Sequence, residues 1–247
     1  MIDLHYIATA NGLKIAMLLE EINLPYRVIP YDMFAGEHLT AEFRRLNPNN
    51  KLPVIVDHAP AQGQESLTIF ESGAIMLYLA EKTGRLVPRD PKRRWLAHQW
   101  LIWQVSGLGP MHGQAHHFVR YAPEGQAYGI ERYTREALRQ LNVLEYRLTE
   151  AEYVAEEYSI ADIACFPWVQ ASYLLNIDLT TMPAIQRWSN LLFARPAIKA
   201  ALSRTDLKVP DHYMRARATL NASEWSNLFG DRQHEAAKSQ GSKTPSS

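Results

Sequence analysis

The hydrophobic period of this chain changes near residue 86, and that change limits the fold more than any other feature. Before it, short apolar runs alternate with helical spacings. After the segment Leu86–Lys92, which carries Pro88 and Pro91, every strong period as far as Arg204 is helical. A period near two marks a strand and one near 3.6 a helix. Two architectures in series are therefore expected: a first domain over residues 1–85, a linker at 86–92, an all-helical domain at 93–206 and a C-terminal extension at 207–247.

The first domain reads as strand Ile2–Ile7, a turn at Asn11-Gly12, helix Leu13–Ile22, strand Tyr26–Tyr31 and helix Thr40–Leu46. The turn-rich Asn47-Pro48-Asn49-Asn50 stops that helix. Val54–Val56 and Leu67–Ile69 form a hairpin around the loop His58–Gln64, which holds Pro60 and Gly63. Helix Ser72–Thr83 follows, with Gly84 as its stop. The order is a βαβ unit, expected as a right-handed parallel crossover, then a hairpin and a helix. It is the element order of a thioredoxin-like α/β domain. The second domain shows helical spacing in Trp95–Val105, Tyr128–Leu148, Ser159–Leu175, Met182–Phe193 and Pro196–Leu202. In the extension that spacing is faint, around Tyr213–Leu220 and Glu224–Phe229. Ser/Gly/Lys-rich Ala236–Ser247 is expected to be disordered.

Charge and cysteine usage narrow the function classes. Lys+Arg number 26 and Asp+Glu 26, so there is no basic footprint for nucleic acid. No apolar stretch approaches the about 18 residues of a membrane span. The N-terminus lacks the basic and apolar regions of a secretory leader. The one cysteine, Cys165, allows neither an internal disulfide nor a multi-cysteine metal site. A cytoplasmic protein is expected. Any redox chemistry should borrow its sulfur from a small molecule, because Cys165 lies among Ile163, Ala164, Phe166 and Trp168, where a thiol is inert.

Three short segments carry candidate chemistry. Thr9-Ala10-Asn11-Gly12 joins the first strand to the first helix. A helix N-terminus there offers free N–H groups and partial positive charge. Thr9 and Asn11 can donate to a thiolate brought by a ligand, or one of them can simply cap the helix. Lys51-Leu52-Pro53 precedes a short strand. A cis bond before Pro53 would turn the Leu52 N–H and C=O outward to pair with an extended peptide, and Lys51 could neutralise a carboxylate. With a trans bond, Pro53 merely starts a strand. Glu71-Ser72 opens a helix, with Ser72 as cap and carboxylate site and Glu71 for an ammonium group. A plain cap is the alternative.

Glutathione has the three matching parts: an α-amino-acid end, a cysteinyl peptide and a terminal carboxylate. At this point the chain resembles the cytosolic glutathione transferases, most of all their bacterial Nu class of glutathione-dependent disulfide-bond reductases. Carrying the resemblance are Thr9–Lys14, Asn47–Pro53, Phe70–Ile75, Gly107–Met111, His116–Phe118, Ile130–Tyr133 and Tyr158–Ala164. It covers residues 1–205 and implies a thioredoxin-like N-terminal domain plus an all-α C-terminal domain. Thr9 and Asn11 would face the sulfur, Leu52 and Pro53 the cysteinyl backbone, and Glu71 and Ser72 the γ-glutamyl end. His38 would lie in the loop near the glycyl end, Lys51 would be among the glutathione-binding residues, and Arg132 would reach a glutathione carboxylate from the helical domain. Two departures stand out: His38 replaces a Gln, and Ala10 replaces a Pro.

The resemblance also implies a homodimer. Its acceptor would be a small disulfide, a peroxide or an electrophile, reached by one or two bound glutathiones or their disulfide. The expected activity is disulfide reduction or peroxidase chemistry by a bound glutathione thiolate. The rivals are conjugation to apolar electrophiles and a non-catalytic glutathione-binding module. His112, His116 and His117 lack a metal motif's further ligands, so no metal is expected. Ser159–Asp162 reads as a capping box with a folding role. Trp95, Trp100 and Trp103 read as core, with Trp103 or Phe118 as candidate lining for an acceptor pocket.

Overall fold

A computed structural model of the protein describes residues 1–60 and 65–238. Strands β1 (Ile2–Tyr6), β2 (Tyr26–Pro30), β3 (Val54–Asp57) and β4 (Leu67–Phe70) form one sheet in the order β2-β1-β3-β4. β1 and β2 are parallel and joined through helix α1 (Ala10–Ile22); β3 runs antiparallel to both β1 and β4. Central β1 is buried almost throughout, whereas edge strand β4 is mostly exposed, as expected for a sheet covered only in its middle. Helices α2 (Ala41–Leu46) and α3 (Ser72–Thr83) complete the thioredoxin-like unit. Gly63 of the expected hairpin loop lies outside the described residues.

The helical part comprises α4 (Pro91–Trp103), α5 (Gly109–Arg120), α6 (Ala127–Glu150), α7 (Ile160–Gln170), α8 (Pro183–Ala194) and α9 (Pro196–Ser203). A π-helical turn, Gln104–Leu108, links α4 to α5. None of the described helices is long and apolar enough to cross a membrane. The single helix expected over Ser159–Leu175 is corrected: α7 ends at Gln170 and the chain tightens into a 3-10 turn, Ala171–Leu175.

Helix α1 explains how the two parts hold together. It packs on α3 and also on α7 and α9, so Ile15, Ala16, Met17, Leu18 and Leu19 are all buried. A helix that is apolar all round must be covered all round. One continuous core therefore runs from Leu4 and Ile55 of the sheet to Ile163, Cys165 and Trp188 of the helices. At the far end of α1, Glu21 accepts two bonds from Arg195 (2.6 and 2.9 Å) and one from Tyr158 Oη (3.0 Å).

Trp95 is a second correction, being 71% exposed. On α4 the buried positions are Ala97 and Leu101, one turn apart. Trp95 points away from that line, while Trp100 and Trp103 pack against the core.

The extension folds back on the same chain. Its helices α10 (Ala222–Phe229) and α11 (Asp231–Lys238) are short. Tyr213 donates to Tyr31 O (3.0 Å) and Asn227 to Phe34 O (2.7 Å). Gly36 has φ +77°, and a Cβ there would lie 2.8 Å from Asn227 Oδ1, so glycine permits this docking. Phe229 packs on His117 of α5 and on Tyr121 just past its end. The extension thus bridges the β2–α2 loop and the helical part. The disorder expected for Ala236–Ser247 is corrected at residues 236–238, which are helical; residues 239–247 lie outside the described ones.

Candidate functional site

Strand register gathers the three segments at one edge of the sheet. His5 pairs with Val54, and Val54 with Phe70. One residue further, Pro53 falls beside Tyr6 on one side and Glu71 on the other. The ends of β1 and β4 and the start of β3 therefore meet where α1 and α3 begin. The Leu52–Pro53 peptide is cis. No described residue bonds the Leu52 N–H or C=O.

Thr9 is the N-cap of α1, its Oγ1 accepting from Gly12 N–H at 3.4 Å. Capping and ligand contact are compatible, because a hydroxyl that accepts still has a hydrogen to give. The N–H groups of Ala10 and Asn11 open the helix without a partner among the described residues. Gly12 is needed for close approach, since a Cβ there would sit 2.2 Å from Ile7 O. Asn11 has a partner the sequence did not reveal: Trp168 Nε1 donates to Asn11 Oδ1 at 3.0 Å. An indole N–H only donates, so the amide carbonyl must face Trp168 and the NH₂ end must face away. Trp168 is itself wedged against α5, stacked on His116 with ring centroids 6.4 Å apart.

Ser72 is corrected as a cap. β4 ends at Phe70 and α3 starts at Ser72, so one residue makes the whole turn. Glu71 takes the cap position with φ +69° and no side-chain cap bond. Ser72 becomes the first helical residue, 7% exposed, and its Oγ accepts from Lys14 Nζ at 3.2 Å. The expected acid–hydroxyl pair is present, but the hydroxyl is engaged from below by a buried amine.

Toward the other end, Lys51 is exposed and its pKa is lowered by partial desolvation. His38 is only 4% exposed, and its Nδ1 has no partner among the described residues. Burial, then the charges of Lys51 and Arg232, push its pKa down to about 4. His38 can therefore offer a neutral hydrogen bond at neutral pH, not a charge. His112 and His116 bond the carbonyls of Leu108 and Ala171, and burial likewise lowers each to about 4. Among the described residues no three His, Cys, Asp or Glu gather as a metal group.

These histidines predict acid sensitivity. Their folded pKa values lie below the unfolded value of about 6.5, so the unfolded chain binds more protons between pH 6.5 and 4. Stability present above pH 6.5 should be lost as pH falls through that window. Asp162, raised to about 6 by burial, acts in the opposite sense there, but it is one group against three. Urea unfolding should show a net loss of a few kcal/mol from pH 7 to 4.5, and His38→Gln should make the decline shallower.

Arg132 is not joined to these residues. On α6 it is 55% exposed, with Glu136 at 3.6 Å on its own helix. Of the two residues expected to line an acceptor pocket, Trp103 packs edge-on to Trp100 and Phe118 stacks on Tyr133. Cys165 has no exposed surface, and burial pushes its thiol pKa far up.

Both parts of the chain resemble known proteins. Residues 3–81 match the model of the glutathione S-transferase N-terminal domain, and residues 110–196 that of the C-terminal domain. The disulfide-bond oxidoreductase YfcG of Escherichia coli is 50% identical over 208 residues, covering 84% of this chain and 97% of that one. A Burkholderia graminis glutathione transferase, crystallised with two glutathiones per subunit, superposes with TM-score 0.76 at 40% identity, covering 83% and 88% of the two chains. A Pseudomonas putida glutathione transferase holding one glutathione disulfide per subunit gives TM-score 0.76 at 38% identity, over 83% and 91%. With both domains matched and half the residues shared with such a relative, the chain belongs to the glutathione S-transferase family.

Proposed function

We propose that the protein is a glutathione-dependent disulfide reductase, with peroxidase capacity, whose reacting sulfur belongs to bound glutathione. The observation that carries this reading is the position of the chain's one thiol. Cys165 is sealed in the core, while Thr9 and Asn11 offer two hydrogen-bond donors at the N-terminus of α1. Such a place suits a thiolate, and the protein has none of its own to put there.

The parts fit the tripeptide. Leu52 would pair its free N–H and C=O with the cysteinyl backbone, with Pro53 shaping that turn. Glu71 and Ser72 would take the γ-glutamyl ammonium and carboxylate. Lys51 and a neutral His38 would face the glycyl end. Arg132 enters on the family resemblance alone. The held thiolate attacks one sulfur of a disulfide RSSR, forming GSSR and expelling RS⁻, which takes a proton from water. A second glutathione thiolate attacks GSSR, releasing GSSG and the second RS⁻. The names of YfcG and of the glutathione-bound relatives support the reading. The resemblance also carries a two-fold dimer, and the exposed Leu67 and Phe70 on edge strand β4 offer it apolar surface.

The test is a coupled assay with glutathione and hydroxyethyl disulfide. Wild type and Cys165→Ala should both turn over. Loss of activity in a folded Cys165→Ala variant would move the chemistry to the protein thiol. Faster conjugation of an aromatic halide than reduction would favour a transferase. Absence of glutathione binding would favour a non-catalytic module. Trp168→Phe keeps an aromatic ring but leaves the Asn11 amide free to turn over, so reductase kcat should fall about tenfold, the worth of about one hydrogen bond.

A further inference from the structure

Lys14 lies on α1 with no exposed surface. Its ammonium donates to Ser72 Oγ at 3.2 Å and to Gln104 Oε1 at 2.6 Å. One buried cation therefore ties the start of α3 to the π-helical turn below α5. A buried lysine is costly unless its charge is used, and no carboxylate among the described residues bonds to it. Glu71 is the acid that acts on it, from the start of α3. α7 presents Cys165, whose thiol is neutral, and the buried residues of α9, Ile198 and Ala201, carry no charge. Gln104 is neutral.

We propose that Lys14 is a positioning residue of the glutathione site: its ammonium turns the Ser72 hydroxyl outward as a donor and supplies the buried counter-charge for the carboxylate that Ser72 receives. The proposal rests on the reading of Ser72 as the γ-glutamyl carboxylate site. An ammonium has donors and no acceptor. While Lys14 is charged, Ser72 Oγ must accept from it, and the single hydroxyl hydrogen is left for the ligand. A neutral amine reverses this, because its lone pair can take that hydrogen and turn it inward. The charged state thus binds the carboxylate twice over, through an oriented hydroxyl and through long-range attraction in a medium of low dielectric.

The linkage has a definite sign. Burial lowers the Lys14 pKa to about 7. An arriving carboxylate favours the charged form and raises it. Below pH 6 the amine is protonated before and after binding, and no proton moves. Near pH 8 it is mostly neutral before binding and charged after it, so binding takes up a proton and affinity falls as pH rises.

S-methylglutathione is the probe, since it lacks the thiol whose own ionisation would confuse the measurement. Calorimetric titration of the full chain between pH 6 and 8, in two buffers of different ionisation enthalpy, should show affinity falling about tenfold and uptake of between about 0.5 and 1 proton at pH 8. Lys14→Met, close in length and uncharged, should bind with one pH-independent affinity, no tighter than the wild type's at pH 8, and take up no proton. Heats that do not depend on the buffer at pH 8, or a Lys14→Met variant that keeps the wild-type pH slope, would overturn the proposal. Should Lys14→Met fail to fold, the wild-type buffer dependence alone decides. A wild type that does not bind S-methylglutathione at any pH would sink the functional reading itself, a result distinct from binding without proton uptake.

Discussion

Removing both proposed sulfur-facing donors in a Thr9→Ala/Asn11→Ala variant should lower disulfide-reductase kcat several-hundredfold at pH 6.5 and only about tenfold at pH 9. Two bonds to a charged sulfur at about 1.5 kcal/mol each amount to roughly two pKa units. Held by them, a thiol of ordinary pKa about 8.5 would titrate near about 6.5. At pH 6.5 the variant would then keep about one part in a hundred of its sulfur as thiolate, against about half in the wild type. Part of that loss returns, because a more basic thiolate is a better nucleophile, by about tenfold over two units. Misplacement of the sulfur once its two anchors are gone costs about a hundredfold more. Raising the pH ionises the thiol in both proteins, removes the first factor and leaves the others. The measurement is kcat against pH with saturating glutathione. A loss that stays constant with pH would mean the two side chains only hold the loop and do not stabilise the thiolate. The cap bond from Gly12 N to Thr9 Oγ1 is long at 3.4 Å, so its removal should cost little stability, and the unfolding midpoint checks that.

Much of this site was legible because its parts are local. Thr9 to Gly12 is a strand-to-helix junction, and Leu52-Pro53 and Glu71-Ser72 sit at the ends of short strands, where composition alone marks a turn. What register adds is their meeting, which follows once β1, β3 and β4 are known to be neighbours. Three features were hidden for physical reasons. Trp168 is 157 residues from Asn11, and within its own apolar helix it looks like any core aromatic. Lys14 sits at a position whose partners, Ser72 and Gln104, come from two distant elements; helical spacing shows a lysine amid apolar residues but not what receives its charge. The sequence puts the cap one residue late, on Ser72, because a hydroxyl after an acid signals a cap, whereas the abrupt β4–α3 junction pushes it back onto Glu71 at positive φ. The extension's docking was illegible too, since it depends on single polar contacts such as Asn227 to Phe34 O and not on a strong period.

Asp162 should mark the limit between site and scaffold, because its loss should unfold the chain without touching the chemistry. Its carboxylate is fully buried and receives four donors: Val154 N and Trp188 Nε1 on one oxygen, and Ser159 N and Ser159 Oγ on the other, at 2.9 to 3.2 Å. It therefore completes the capping box of α7 and ties that helix to α8 and to the turn before it. Asp162→Ala leaves those donors buried and unpaired, at a cost of about 3–5 kcal/mol, a large part of the roughly 5–15 kcal/mol that holds a domain of this kind. Asp162→Asn should recover only part, because its NH₂ end must face donors. Ser159→Ala, losing one cap acceptor, should cost about 1 kcal/mol. Urea unfolding midpoints give the order. Since α7 also carries Trp168 to Asn11, the decisive reading is the KM for glutathione in whatever fraction stays folded. An unchanged KM with a collapsed midpoint places Asp162 in the scaffold, whereas a raised KM with an intact midpoint would mean that the α7 cap sets the position of Trp168 and so belongs to the site.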